Sequence, residues 1–244
     1  MNLLLLVLFS FPGQRVANLP TGVLPEPHVW QINISHRFVP AVLAPGWTSD
    51  PLQLFSGANV RDVIDKSLGE KALVGFNLTI STREMGLHGA WAPLDWLTLY
   101  PELNTHLYGF KLDSTWLNFG LCCHRTFGEK LAVVAQPRFT TSTREHFVSL
   151  GLGAKAQVIN TWSLGLETEP VLLGRDPTTQ NLAWNLAVDK EYGWHNFIFT
   201  FGSPLDQSAP GMFRSAPADT SASAGLLDLA RGYFRMGFNI MRKI

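Results

Sequence analysis

Every second residue of the stretch His146–Leu173 belongs to a different kind of surface. Val148, Leu150, Leu152, Ala154, Ala156 and Val158 form one row, and Phe147, Ser149, Gly151, Gly153, Lys155 and Gln157 form the other. After Asn160 and Thr161 the alternation resumes, with Trp162, Leu164 and Leu166 against Ser163, Gly165, Glu167 and Glu169. Successive side chains of a strand point to opposite faces, so this pattern predicts a hairpin with one apolar face and one polar, glycine-rich face. Its charges, Lys155, Glu167 and Glu169, all fall on the polar row.

The same period recurs along most of the chain. Trp30, Ile32, Ile34, His36 and Phe38 oppose Gln31, Asn33, Ser35 and Arg37, and Val74, Phe76, Leu78 and Ile80 oppose Gly75, Asn77, Thr79 and Ser81. Further strands are predicted at 85–91, 95–100 and 130–137, and across 106–122 either as one tilted strand or as two broken near Asp113. Phe139–Glu145 reads as a polar loop. Leu182, Trp184, Leu186 and Val188 make an apolar row, as do His195, Phe197, Phe199 and Phe201. The closing strand sets Phe234, Met236, Phe238 and Ile240 against Arg231, Tyr233, Arg235 and Asn239. Residues 58–68 differ: Val60, Val63, Ile64 and Leu68 have helical spacing, with Ser56 as a cap and Gly69 as a stop. A helix is expected there unless the neighbouring strands draw the segment into the sheet.

Connection lengths alternate. Those at 67–71, 123–129, 159–161 and 191–193 are short, and those at 39–57, 138–145, 173–181 and 203–228 are longer. Outer-membrane barrels have short turns at one rim and longer loops at the other, with an even number of strands. The expectation is an all-β, antiparallel up-and-down transmembrane β-barrel of about twelve strands. The connection after Ser81 is too short for its class. The competing architecture is a secreted or periplasmic soluble β-barrel that binds an apolar ligand, with the two faces exchanged.

Composition narrows the choice. Of 244 residues, 46% are hydrophobic and only 16% charged, against about a quarter charged in ordinary soluble domains. Phe (16) and Trp (8) are abundant enough to furnish aromatic girdles, as Trp30, Trp162 and Trp194 near strand ends suggest. A net charge of zero argues against nucleic acid as a partner. Residues 3–11 are too short an apolar run for a membrane helix and resemble the core of a leader. The expected organisation is a signal peptide over 1–17, a Pro-rich lead over 18–28 and one barrel over 29–244.

The ionised residues at predicted inward positions are Arg37, Lys155, Glu167, Glu169, Asp189, Arg231 and Arg235. Charges removed from water persist mainly when paired, so Glu167 and Glu169 are expected to meet Arg231, Arg235 or Lys155 across a lumen. Ser35 and His36 are neighbours in sequence and therefore face opposite ways, which denies them a nucleophile–base geometry. The seven histidines are dispersed without metal-ligand spacing. Cys122 and Cys123 fall on opposite faces of a strand and are read as small apolar residues rather than a disulfide. Asn33-Ile34-Ser35 and Asn77-Leu78-Thr79 match a glycosylation sequon inside strands, and are taken as chance. No cofactor, metal or catalytic set is expected.

Both ends of the chain also carry a resemblance. Asp189–Gly193, His195–Phe201 and Gly237–Arg242, with Ser35-His36-Arg37-Phe38 in the first strand, resemble an uncharacterised outer-membrane β-barrel family often found in Bacteroidetes. Trp194 stands where that family usually has Gly, and the chain ends in Ile244 rather than Phe. The resemblance implies a bacterial outer-membrane location and a barrel fold, and hence the lipid bilayer as partner and insertion by the barrel-assembly machinery; the family has no established activity, and no enzyme is expected. The function expected from pattern and resemblance is a narrow channel, a small-solute conduit or a structural barrel.

Overall fold

The computed structural model describes residues 14–38, 58–80, 82–106, 115–128, 130–142, 146–174, 183–203 and 235–244. Every regular element among them is a strand: β1 (Trp30–Phe38), β2 (Ala58–Ser67), β3 (Ala72–Thr79), β4 (Glu84–Leu94), β5 (Leu97–His106), β6 (Trp116–Phe127), β7 (Leu131–Thr141), β8 (His146–Ile159), β9 (Trp162–Glu169), β10 (Val171–Leu173), β11 (Ala183–Tyr192), β12 (His195–Gly202) and β13 (Arg235–Lys243). The short β10 continues β9 beyond Pro170 and pairs with the same neighbour, β8. Each strand pairs antiparallel with its neighbours, β1 with β13 and β9 with both β8 and β11, so the ring closes with twelve strands among the described residues. Closure removes the free edges that an open sheet would expose.

Turns at one rim are tight. Asn160 (φ 45°) and Gly193 (φ 58°) supply the left-handed backbone that such turns require. At the same rim lie the connections 68–71, 95–96 and 128–130. At the opposite rim the strands end at Phe38, Thr79, His106, Thr141, Leu173 and Gly202, and there the gaps 80–83 and 142–145, four residues each, are the short exceptions. β5 ends at His106 and β6 begins at Trp116, and the break expected near Asp113 lies outside the described residues.

Burial assigns the two faces. Leu164, Leu166, Leu186 and Phe199 are each about half exposed, while Gln31, Asn33, Arg37, Lys155, Glu167 and Asp189 are all below 5%. The polar rows point inward and the aliphatic rows outward, the opposite of a soluble barrel with an apolar pocket. That alternative is therefore set aside. Exposed aromatics gather at the tight-turn rim: Trp30, Trp91, Trp96, Phe127, Trp162, Tyr192 and Trp194. Lys66 stacks over Trp30 and Lys190 over Trp162, with ammonium-to-ring distances of 5.0 and 4.8 Å. An aromatic belt crossed by snorkelling lysines marks the boundary between acyl chains and headgroups.

Two expectations need correction. Residues 58–67 form a strand, not a helix, with Arg61, Val63, Asp65 and Ser67 on the inward side. Asp62 and Lys66 share the outward row with Ile64 there, so the outward face is not free of charge, and these two residues are what obscured the period of two. The strand expected to end at Pro137 runs on to Thr141, so Phe139–Thr141 belongs to the sheet rather than to a loop.

Candidate functional site

The lumen is not empty. The backbone of Val16 donates to Leu19 O, that of Thr21 donates to Gln14 O, and Arg15 bridges Pro20, so residues 14–21 fold back on themselves as a small hairpin. Val16, Ala17 and Leu19 are wholly buried although no strand contains them. The chain then runs through Gly22–Val29 to β1, where Lys243 meets Glu26 at 2.8 Å and Lys66 donates to His28 O. Residues 14–17, the end of the segment expected as a leader, lie inside the barrel with the start of the Pro-rich lead.

Glu167 holds the tip. Its carboxylate accepts the backbone N–H groups of Ala17, Asn18 and Leu19 at 3.1, 2.9 and 2.8 Å, and Asn185 Nδ2 at 2.8 Å. Three consecutive amides converging on one anion form a backbone nest, here filled by a side chain of the barrel wall. Asn239 Nδ2 donates to Ala17 O, and Arg37 Nη2 donates to Asn18 Oδ1 at 2.6 Å while its Nη1 reaches Asn239 Oδ1.

The wall makes room where the hairpin needs it. A Cβ on Gly151 would come within 2.7 Å of Leu19 Cδ2, and one on Gly165 within 3.0 Å of Val16 O. The glycines that gave this hairpin of the barrel its unusual composition are the seat of the N-terminal segment. Across the lumen, Cys122 Sγ lies 3.4 Å from Pro20 O, and Thr98 donates to Gly22 O. Cys122 and Cys123 are both free thiols.

The remaining ionised residues sort into pairs. Lys155 on β8 bonds Asp189 on β11 by reaching across β9, where Gly165 and Ser163 offer nothing to block it, and also donates to Arg15 O at 3.3 Å. Glu169 accepts from Ser149 at 2.7 Å and pairs with Arg138 at 3.4 Å. Arg235 donates to Ser203 O. Among the described contacts Glu169 takes Arg138, and Glu167 takes backbone amides and Asn185. Arg231 lies outside the described residues. Ser35 points inward, whereas His36 stacks on Phe238 outside, ring centroids 4.5 Å apart.

A second polar cluster escaped the sequence reading. Arg61 is paired with Glu102, which also accepts from Asn77 and Asn118, and His88 meets Asp65 at 2.6 Å. Arg61 and Asp65 lay in the segment read as helical, and Glu102 and Arg138 just past strands that were ended early. Arg61, Asp65, His88, Glu102, Asn118 and Arg138 line a cavity of about 110 Å³ beside the hairpin, and a second of about 60 Å³ lies toward Trp194 and Lys243. Among the described residues no group of three or more His, Cys, Asp or Glu could hold a metal ion.

The comparisons with known proteins agree with this architecture. The sequence model of the family described as "Membrane bound beta barrel domain (DUF5777)" matches residues 113–244. No curated protein matches the sequence. A solved structure titled "KdgM porin" has a TM-score of 0.56 at 9% identity, covering 88% of this chain and 99% of that chain. A NanC porin has a TM-score of 0.51 at 9% identity, covering 87% of this chain and 97% of that chain. Likeness at such identity concerns the barrel alone and carries no solute with it. With its closed twelve-strand ring, its apolar exterior and more than half its length matched, the chain belongs to the family of membrane-bound β-barrel domains.

Proposed function

We propose that this chain is an outer-membrane conduit for small polar solutes, inserted by the barrel-assembly machinery, with its tight-turn rim toward the periplasm. The observation that carries the reading is the interior: a hydrogen-bonded polar lumen inside an apolar wall, far more polar than packing alone requires. A purely structural barrel could fill that space with aliphatic side chains and avoid the desolvation of Lys155, Asp189, Arg61 and Glu102. The hairpin occupies the lumen, so the conformation described is the closed one. A conducting state requires it to move.

Ser35 and His36 face opposite ways and do not form a nucleophile–base pair with each other. The test is reconstitution of the full chain in planar bilayers and in solute-loaded liposomes, after membrane fractionation and a heat-modifiable mobility assay. Rare openings, and efflux of small polar solutes that rises when the hairpin is loosened, are expected. Recovery in the soluble fraction, or a folded barrel that stays impermeable with the hairpin displaced, would refute the proposal.

A further inference from the structure

We infer that Glu167 is the latch of a displaceable plug, and that the hairpin of residues 14–21 is that plug; this deepens the conduit reading and rests on it. Three observations converge. One carboxylate gathers three successive amides of the plug at 2.8–3.1 Å, while Arg37, Asn239, Lys155 and Cys122 each reach a single oxygen of it. Gly151 and Gly165 shape a seat in which Leu19 and Val16 fit and larger wall residues would not. Both ends of the hairpin face one mouth: Gln14 and Val23 line the small cavity with Trp194 and His195 of the tight-turn rim, and β1 begins at that rim. Within the described residues, withdrawal of the hairpin toward that mouth threads no part of the chain through the barrel.

Latch and seat are separable in kind. The seat gives shape and apolar contact, while the latch gives direction, since three successive amides all turn toward one carboxylate. Hydrogen bonds to an ionised acceptor are about twice as strong as neutral ones. Removing the charge but not the shape at Glu167 should therefore free the plug and leave the barrel standing.

The chain carries its own reporter. Cys122 is wholly buried beneath Pro20, and with Cys123→Ser it becomes the only thiol of the 244 residues. In proteoliposomes of the full chain, a charged, membrane-impermeant maleimide should label Cys122 slowly in that background. With Glu167→Gln added, labelling should quicken by about tenfold, the equivalent of one charged hydrogen bond lost. Gly165→Val, which crowds the seat from the other side, should quicken it independently and guards against a folding defect in the first variant. Heat-modifiable mobility confirms in each case that the barrel has formed. Folded Glu167→Gln and Gly165→Val barrels that protect Cys122 as well as the parent would overturn the latch. Current recorded on the same samples keeps the two readings apart. Rapid labelling without any current would sink the conduit and leave the latch intact, whereas current with Cys122 still protected would sink the latch alone.

Discussion

The carbonyl of Val16 lies so close to Gly165 that a methyl group on the glycine would sit 3.0 Å from its oxygen. A residue outside the sheet has thereby fixed the composition of a strand within it. Gly165 pairs with Lys155 on one side and Ala187 on the other, so its neighbours cannot yield without disturbing the register of β8, β9 and β11. The hairpin is the softer partner.

Valine at position 165 should accordingly cost the docked plug rather than the barrel. Overpacking a well-filled site typically costs about 1–3 kcal/mol. A Gly165→Val chain should keep its heat-modifiable mobility while trypsin cuts after Arg15 faster than in the parent. A chain that fails to form the barrel but keeps Arg15 protected in the residual folded fraction would show that the glycine serves the sheet instead.

The Lys155–Asp189 pair allows a sharper distinction. Both side chains are 1–2% exposed, so removing only one leaves an uncompensated charge in the wall. Lys155→Ala should destabilise the barrel by about 3–5 kcal/mol, whereas Lys155→Met combined with Asp189→Leu should be close to neutral. Denaturant titration in detergent measures both. A double variant as unstable as the single one would mean that the contact of Lys155 with Arg15 O, not the pair, is what matters.

How much of this could be seen in the sequence follows from which forces leave a periodic trace. Lipid tolerates almost no charge at mid-depth, so β1, β8, β9, β11 and β12 show uninterrupted alternation and were legible. In β2 the outward row includes Asp62 and Lys66, the latter placed over Trp30, and the alternation drowned in apparent helical spacing. In β7, Pro137 looked like a terminus because proline cannot donate to the ladder, yet the strand continues past it paired with Leu150. Inward orientation of the charged residues could be read from parity alone. Their partners could not, because Lys155 reaches Asp189 over the small residues of β9 and such a reach depends on register. The hairpin has no periodicity at all. Its only trace was the run of glycines opposite it, which reads equally well as open lumen.

The outward face should discriminate by depth. Phe199 lies mid-strand, half exposed and flanked by Phe238 and Val188, while Trp194 sits in the tight turn that precedes β12. Phe199→Arg should cost about 2–4 kcal/mol and Trp194→Arg no more than about 1 kcal/mol, because an arginine at the interface can keep its guanidinium in water. Urea titration of vesicle-inserted protein would show the difference. Equal costs at the two positions would contradict the placement of the aromatic belt at the membrane boundary.

Glu26 makes the attachment of the lead depend on pH. Burial pushes its carboxyl up, but the hydrogen bond and charge of Lys243 outweigh that and leave it below the ordinary carboxylate value. A group whose folded pKa is depressed adds stability that is fully present above its unfolded value and disappears as pH falls through the folded one. The pair is half exposed, so the contribution is small and weakens with salt. Amide hydrogen exchange over residues 23–28, corrected for the intrinsic rate, should show protection fading in that acidic window. In Lys243→Met the fading should vanish, because the carboxyl has lost the cation that lowered it. Parallel profiles for the two proteins would mean that Lys66, donating to His28 O at 2.7 Å, holds the lead without help from the ion pair.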